Sequence, residues 1–196
     1  EGVEQSRLQY LTGFGNAIEV ETFVWLIKGG DFPVVVDVGP GSPATVKERI
    51  GRNFHQTEAQ QPRNAVAAAG VDPDEVRAVI QTHLHFDHTL SFVDDPFPNA
   101  TIYIQQSELF YAAAPYPPHR GMYDAVDIKN LLPVVASTIP NVAVVDGDFT
   151  VMDGVRALLT PGHSPGLQSV LVEGCDQVYA IASDNVPLAS SWRGHT

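Results

Sequence analysis

Six consecutive residues, His83-Leu84-His85-Phe86-Asp87-His88, constrain this chain more than any other part of it. Three imidazoles and a carboxylate are ligand types that suit Zn2+ and neighbouring divalent metals. The run follows directly on Val79-Ile80-Gln81, the end of a strand candidate at 76–81. On an extended stretch side chains alternate, so His83 and His85 point to one side. A turn at Phe86 can then aim Asp87 and His88 differently, toward a second ion. A lone histidine is commonly a core or surface residue; this density of ligand types is not.

Two further islands follow in order. Thr160-Pro161-Gly162-His163-Ser164-Pro165-Gly166 places a histidine in a rigid turn after a strand candidate at 155–160. Ala182-Ser183-Asp184-Asn185 places a carboxylate just past the apolar run 178–181. Taken singly, the first reads as a turn histidine facing water and the second as a turn or helix-cap aspartate. It is their succession behind the histidine run that makes all three candidate ligand sources.

The rest of the chain mixes strand and helix signals. Residues 17–27 are rich in Val, Ile, Phe and Trp, Lys28-Gly29-Gly30-Asp31 makes a turn, and 33–38 form a short apolar run, so the two read as a hairpin. Further strands are expected at 101–104, 142–145, 168–173 and 178–182, and helices at 44–50, 62–69, 107–114 and 124–132. Residues 116–121, with two prolines and a glycine, are expected to be an irregular surface loop. Strands with helices between some of them imply sheets covered by helices. No linker, repeat or low-complexity stretch divides residues 1–196, which read as one α/β domain of a length that supports a sizeable core.

Composition narrows the partners. Hydrophobic residues at 44% and charged residues at 17% exclude a disordered chain. Eleven Lys and Arg against 23 Asp and Glu give a net charge of −12, which disfavours nucleic acid and anionic membranes. No apolar run approaches the ~20 residues that cross a bilayer. Cys175 is the single cysteine, so no internal disulfide forms, and between two strands it reads as a hairpin-turn residue. With no signal-peptide pattern after Glu1, the cytoplasm is the default compartment.

Taken together, His83-x-His85-x-Asp87-His88, His163 in a Pro-Gly-His turn and Asp184 after a strand resemble the metallo-β-lactamase superfamily. Asp37 in Val34-Val35-Val36-Asp37-Val38-Gly39 matches that family's early strand-end aspartate. The resemblance implies an α/β fold, a four-layer αββα sandwich with the metal site at one edge of the sheets. It implies two Zn2+ ions, other divalent transition metals being acceptable. His83, His85 and His163 would hold one, Asp87 and His88 the second, with Asp184 bridging and Asp37 supporting the ligand loop. The family's second metal takes a further histidine well downstream of the bridging aspartate. Here His195 comes only eleven residues after Asp184 and is a poor candidate, so the expectation is that a C-terminal portion supplying this ligand lies beyond Thr196. His55 and His119, in polar or Pro-rich stretches, are expected to be solvated surface residues.

The chemistry that the resemblance implies is hydrolysis, a metal-bound hydroxide attacking a carbonyl while Asp87 or Asp184 moves a proton. No Gly-x-Ser-x-Gly elbow, phosphate loop or dinucleotide fingerprint offers a competing centre. The wording His83 to His88, with Thr160-Pro161-Gly162-His163-Ser164-Pro165-Gly166-Leu167-Gln168-Ser169, is similar to the quorum-quenching acyl-homoserine-lactone lactonases. Those enzymes carry a tyrosine shortly after the bridging aspartate, where this chain has Asn185-Val186-Pro187; Tyr116 and Tyr123 are either substitutes for its hydroxyl or ordinary loop aromatics. Phe14, Phe23, Trp25, Phe86 and Tyr111 are taken as core residues. The expected partner is a small-molecule lactone or related carboxylic ester, with no nucleic acid and no membrane, and a homodimer is compatible. A glyoxalase-II-like thioesterase and, in another class, a catalytically silent binding module are the alternatives.

Overall fold

Val34, Val35 and Val36 are wholly buried, so the strand that they form must be covered on both faces, and the rest of the molecule is arranged around it. A computed structural model describes residues 2–9, 13–94, 96–131 and 141–194. Its strands are β1 (Val3–Glu4), β2 (Ala17–Ile18), β3 (Trp25–Ile27), β4 (Val34–Val36), β5 (Ala78–Ile80), β6 (Thr101–Gln105), β7 (Val142–Val145), β8 (Phe149–Met152), β9 (Val155–Leu159), β10 (Gln168–Glu173) and β11 (Val178–Ile181). Its α-helices are α1 (Pro43–Ile50), α2 (Pro62–Ala68), α3 (Phe86–Thr89), α4 (Gln106–Ala113), α5 (Ala125–Leu131) and α6 (Ala189–Gly194).

The strands form a five-stranded sheet in the order β3-β4-β5-β6-β7, a four-stranded sheet in the order β11-β10-β9-β8, and the small pair β1-β2. In the larger sheet β3 is antiparallel to β4, which is the expected hairpin, and β4 to β7 run parallel. The four-stranded sheet is antiparallel throughout. Side-chain alternation divides the interior into two cores. Val35, Val79, Ile102 and Ile104 face Val66 of α2, Leu109 and Ala112 of α4 and Ile128 of α5. Val34, Val36, Ala78 and Ile80 face Met152, Val155, Ala157 and Val170 of the other sheet. The result is two sheets face to face, with helices outside the parallel one. No helix among the described residues is long and apolar enough to cross a membrane.

A buried glutamine fastens the two sheets together. The backbone N–H of Gln168, at the start of β10, donates to Thr82 O at 2.9 Å. Its side chain donates to Gln81 O at 2.8 Å and accepts from Gln105 Nε2 at 2.9 Å. One edge of the sandwich thereby gathers the ends of β4, β5, β9 and β11, and the residues that follow them are Asp37, the 83–88 run, the 160–166 turn and Asp184.

Several expectations from sequence are corrected. The turn expected at Phe86 is the short helix α3, and Phe86 packs with Val46 and Leu90. Residues 117–122 form an exposed 3-10 helix rather than an irregular loop, because prolines fit a first turn whose N–H groups lack helical partners. Regular pairing within 17–27 is limited to β2 and β3. Strand β8 was missed. Phe14, Phe23 and Trp25 are 69%, 57% and 47% exposed rather than core, since they precede or lie on the edge strand β3. Phe86 is buried as expected. His195 and Leu132 lie outside the described residues.

Glu108, on α4, ties two of the edge loops to the helical layer. It is 1% exposed and accepts four hydrogen bonds, from Leu84 N at 3.0 Å, Tyr123 Oη at 3.4 Å, Ser164 Oγ at 2.6 Å and Gly166 N at 3.0 Å. Gly166 is required for this approach, since a Cβ there would run into the Glu108 backbone. Glu108→Gln turns one acceptor into a donor facing donors. Unfolding in urea is expected to show a loss of about 1–3 kcal/mol, the cost of buried polar groups left without partners.

The α1 to α5 contact carries a pH-dependent element. Asp124 caps α5 by accepting from the N–H groups of Val126 and Asp127, and Arg49 of α1 pairs with both Asp124 and Asp127. Burial pushes the Asp127 carboxyl up to about 7, against the pull of Arg49. A carboxyl raised above its unfolded value binds more protons when folded, so its contribution to stability falls as pH rises from about 4 to about 7 and is constant above that. The melting temperature of Asp127→Asn relative to the parent protein is therefore expected to climb between pH 5 and pH 8; a constant difference would contradict this.

Candidate metal centre

Each candidate ligand reaches the sheet edge for a local reason. His83 and His85 leave β5 in extended backbone, and His85 is the N-cap of α3, which carries Asp87 and His88 in a single turn. His163 sits in the turn after β9, whose ends are joined by Thr160 N donating to Leu167 O at 2.8 Å. Asp184 follows β11 in a short 3-10 turn. Ser183, beside it, has a left-handed backbone (φ 48°), and its hydroxyl is 3.0 Å from Thr82 Oγ1. Asp37 is left-handed as well (φ 61°), a backbone state that a non-glycine residue holds only when its surroundings fix it.

The six residues converge. His83 lies at the middle, its ring centroid 4.6 Å from that of His85, 4.2 Å from His88 and 5.0 Å from His163. Ligand atoms of His83, His85 and His163 all lie within 4.8 Å of one another, and so do those of His83, His88 and Asp184. Asp184 stands between the two halves, with Oδ1 3.4 Å from His88 Nε2 and Oδ2 3.4 Å from His163 Nε2. Asp87 belongs to neither group of three but is adjacent, Oδ2 being 3.9 Å from His88 Nε2.

Behind the ligand-type residues is a layer that sequence reasoning reached only at Asp37. Its carboxylate accepts from Thr82 N at 2.8 Å, Thr82 Oγ1, Gln81 Nε2 at 3.0 Å and, at 2.8 Å, His88 Nδ1. Gln81 Nε2 also donates to the carbonyls of His83 and His88, which sets the path of the loop. Thr82 Oγ1 is 3.1 Å from His83 Nδ1. Gln81, Thr82, Glu108 and Ser183 were missed because an isolated Gln, Thr, Glu or Ser carries no spacing signal of its own.

The electrostatics fit a metal. Burial first, and then the neighbouring imidazoles, hold His83 well below the ordinary histidine range and bring His85 down to about 3, so both are neutral with a lone pair to offer. Burial also disfavours a charged His88, but Asp37, Asp184 and Asp87 outweigh it and raise that histidine. Burial raises Asp87; Asp184 is lowered, because His88 and His163 overcome its burial. Among the described residues, His83 Nε2 and Asp87 Oδ1 are buried without a hydrogen-bond partner. Two orphaned ligand atoms in one cluster of His and Asp are a deficit that a bound cation removes.

The cluster forms one wall of a cavity of about 1070 Å³. Phe23, Trp25 and Trp192 contribute apolar surface to it, and Tyr111, His119 and Tyr123 line it as well. His119, expected to be a surface histidine, is exposed but belongs to this cavity. Of the two tyrosines considered from sequence, Tyr116 is 61% exposed, whereas Tyr123 is buried with its ring edge-on to His85 at 4.9 Å.

Comparison with known proteins agrees with this geometry. Residues 18–196 match the family model described as the metallo-beta-lactamase superfamily. An N-acyl homoserine lactonase from Bacillus cereus is 32% identical over 169 residues, covering 81% of this chain and 61% of that protein. The N-acyl homoserine lactonase AttM from Agrobacterium fabrum (strain C58) is 40% identical over 108 residues, covering 55% of this chain and 40% of AttM. A solved N-acyl homoserine lactone hydrolase, with N-hexanoyl-L-homoserine bound at its catalytic metal centre, superposes with a TM-score of 0.68 at 29% identity, covering 88% of this chain and 66% of that one. The chain thus spans about six tenths of the length of the Bacillus relative. From the ligand-type residues at its strand ends to the sandwich that carries them, the chain belongs to the metallo-beta-lactamase superfamily.

Proposed function

We propose that this chain carries the centre of a metal-dependent hydrolase that opens a lactone ring, with N-acyl homoserine lactones the first substrates to test. The observation that carries the reading is the convergence of six ligand-type residues on a cavity, in a chain similar to N-acyl homoserine lactonases. In this reading His83, His85 and His163 hold one zinc-type ion and Asp87 and His88 the second, with Asp184 between them. Such ions supply Lewis acidity and bring the pKa of a coordinated water toward neutrality.

The chain's own residues do the rest. Asp37 fixes His88 through Nδ1 and so leaves Nε2 directed at Asp184 and Asp87. Glu108 fixes the loops that carry His85 and His163. Asp87, which keeps a carboxylate oxygen without a hydrogen-bond partner beside His88, is suited to take the nucleophile's proton and pass it to the leaving alkoxide. The apolar wall with Phe23, Trp25 and Trp192 suits a neutral ester with an alkyl substituent better than a charged one.

Metal content by plasma mass spectrometry and turnover on lactones, thioesters and β-lactams test this. About two ions per chain and selective lactone opening are expected, lost on chelation and restored by zinc. Preference for thioesters would move the assignment to a thioesterase, and bound metal without any turnover would favour a binding module. Asp87→Ala is expected to reduce turnover by at least ~10²-fold, the usual size of a general acid–base contribution. With both proteins stripped of metal, its melting temperature should stay close to the parent's, because one of its carboxylate oxygens has no protein partner to lose. Retention of most activity would refute the role of Asp87.

A further inference from the structure

Asp184 is carried from the margin of its sheet. Among the described residues β11 pairs only with β10, and Val178 and Tyr179 on it are 61% and 51% exposed, so apolar packing gives the turn that follows little support. Yet both oxygens of the Asp184 carboxylate have defined neighbours, Oδ1 3.4 Å from His88 Nε2 and Oδ2 3.4 Å from His163 Nε2. Something other than apolar burial sets that position.

The residues on either side of Asp184 supply the hold. Ser183 reaches Thr82, just past β5, through its hydroxyl. Asn185 reaches the other way, to Thr160 just past β9. Its Nδ2 donates to Thr160 O at 2.8 Å and to Thr160 Oγ1 at 3.0 Å. The carbonyl can only accept, which fixes the end of the amide that faces it. Thr160 is itself held, its N–H donating to Leu167 O at 2.8 Å and its hydroxyl lying 2.8 Å from Ser169 Oγ on β10. His163 lies in the turn that Thr160 opens, and Gly162 of that turn is so near Asn185 that a Cβ there would stand 3.3 Å from Asn185 Oδ1. Asp184 is thus braced toward the His83 side by its predecessor and toward the His163 side by its successor.

We infer that Asn185 is a positioning residue: by tying the Asp184 turn to the strand end that carries His163, it sets the Asp184 carboxylate between the two groups of ligand-type residues. This rests on the two-ion, lactone-opening reading above. Asn185 is exposed and water competes for its bonds, so they add little to the stability of the fold. Their effect is on direction. A turn released from such a contact keeps its place in the chain but loses the fixed approach of its carboxylate, and outer contacts of this kind govern metal affinity or turnover by about 10–100-fold. The group of His83, His85 and His163 does not include Asp184, whereas that of His83, His88 and Asp184 does, so the loss should fall on one ion.

The test is zinc titration against a chromophoric chelator, with lactone turnover and the melting temperature of the metal-free protein measured alongside. Asn185→Ala is expected to weaken the more loosely held ion about tenfold or more and the tighter one far less. For N-hexanoyl-L-homoserine lactone, kcat should fall with KM little changed, and the metal-free melting temperature should match the parent's. Asn185→Asp, which keeps the shape but turns an acceptor toward Thr160 O, should fare no better. Thr160→Val removes only the hydroxyl arm, so it should cost less, and combined with Asn185→Ala it should cost nothing beyond Asn185→Ala alone. Parent-like affinities for both ions in Asn185→Ala, or equal weakening of both, overturns this inference. A parent protein that binds two ions and opens no lactone overturns the functional reading, while the ion comparison still decides the role of Asn185. A parent that binds fewer than two ions overturns both.

Discussion

The carboxylate of Asp37 is the point on which the site's geometry turns. It lies just past the end of the interior strand β4, buried, and takes hydrogen bonds from Gln81 and Thr82, which follow β5, and from the ring of His88. One side chain therefore sets the path of the backbone toward His83 and the direction of the His88 ring. The left-handed conformation of Asp37 is part of the same device, because it turns the carboxylate away from the strand and into the edge. A buried anion with this many donors is far better satisfied than it would be with one, which is why the arrangement tolerates the backbone cost.

Two other links extend this order to the ligand-type residues that come from elsewhere in the chain. Gln168 binds the antiparallel sheet to the carbonyls of the parallel one, and so sets the height at which the His163 turn leaves β9. Glu108 then joins that turn to Leu84 from the helical side. The ligand-type residues are carried by loops, but each loop is anchored by a buried polar side chain on a regular element or beside one. Apolar side chains close the interior; buried polar ones decide where the histidines stand.

Much of this was legible in the sequence, and the reason is chemical. A metal centre needs rare residue types at strand ends, so the 83–88 run, His163 and Asp184 were visible as islands behind apolar stretches. The central strands showed themselves as Val and Ile runs because both of their faces are covered. What could not be read were features that depend on distant partners. Glu108, Thr82 and Gln81 are ordinary residues until the fold brings donors to them. Phe23 and Trp25 carry the same apolar signal whether they fill a core or line an open cavity, and only the position of β3 at a sheet edge separates the two. The prolines of 116–121 signalled a break in regular structure, where they in fact begin a 3-10 helix.

The hydroxyl contact between Thr82 and Ser183 joins residues 101 positions apart. Every pairing that closes the cluster across the sheets is similarly remote in sequence, whereas the 83–88 run alone is local. In kinetic terms the centre is therefore a late structure: loop closure over such distances is costly until both sheets have formed and faced each other. A chain still in the course of folding would hold the histidine run but not the geometry, so the meeting of Asp184 with His88 and His163 would mark the moment at which β11 has joined its sheet.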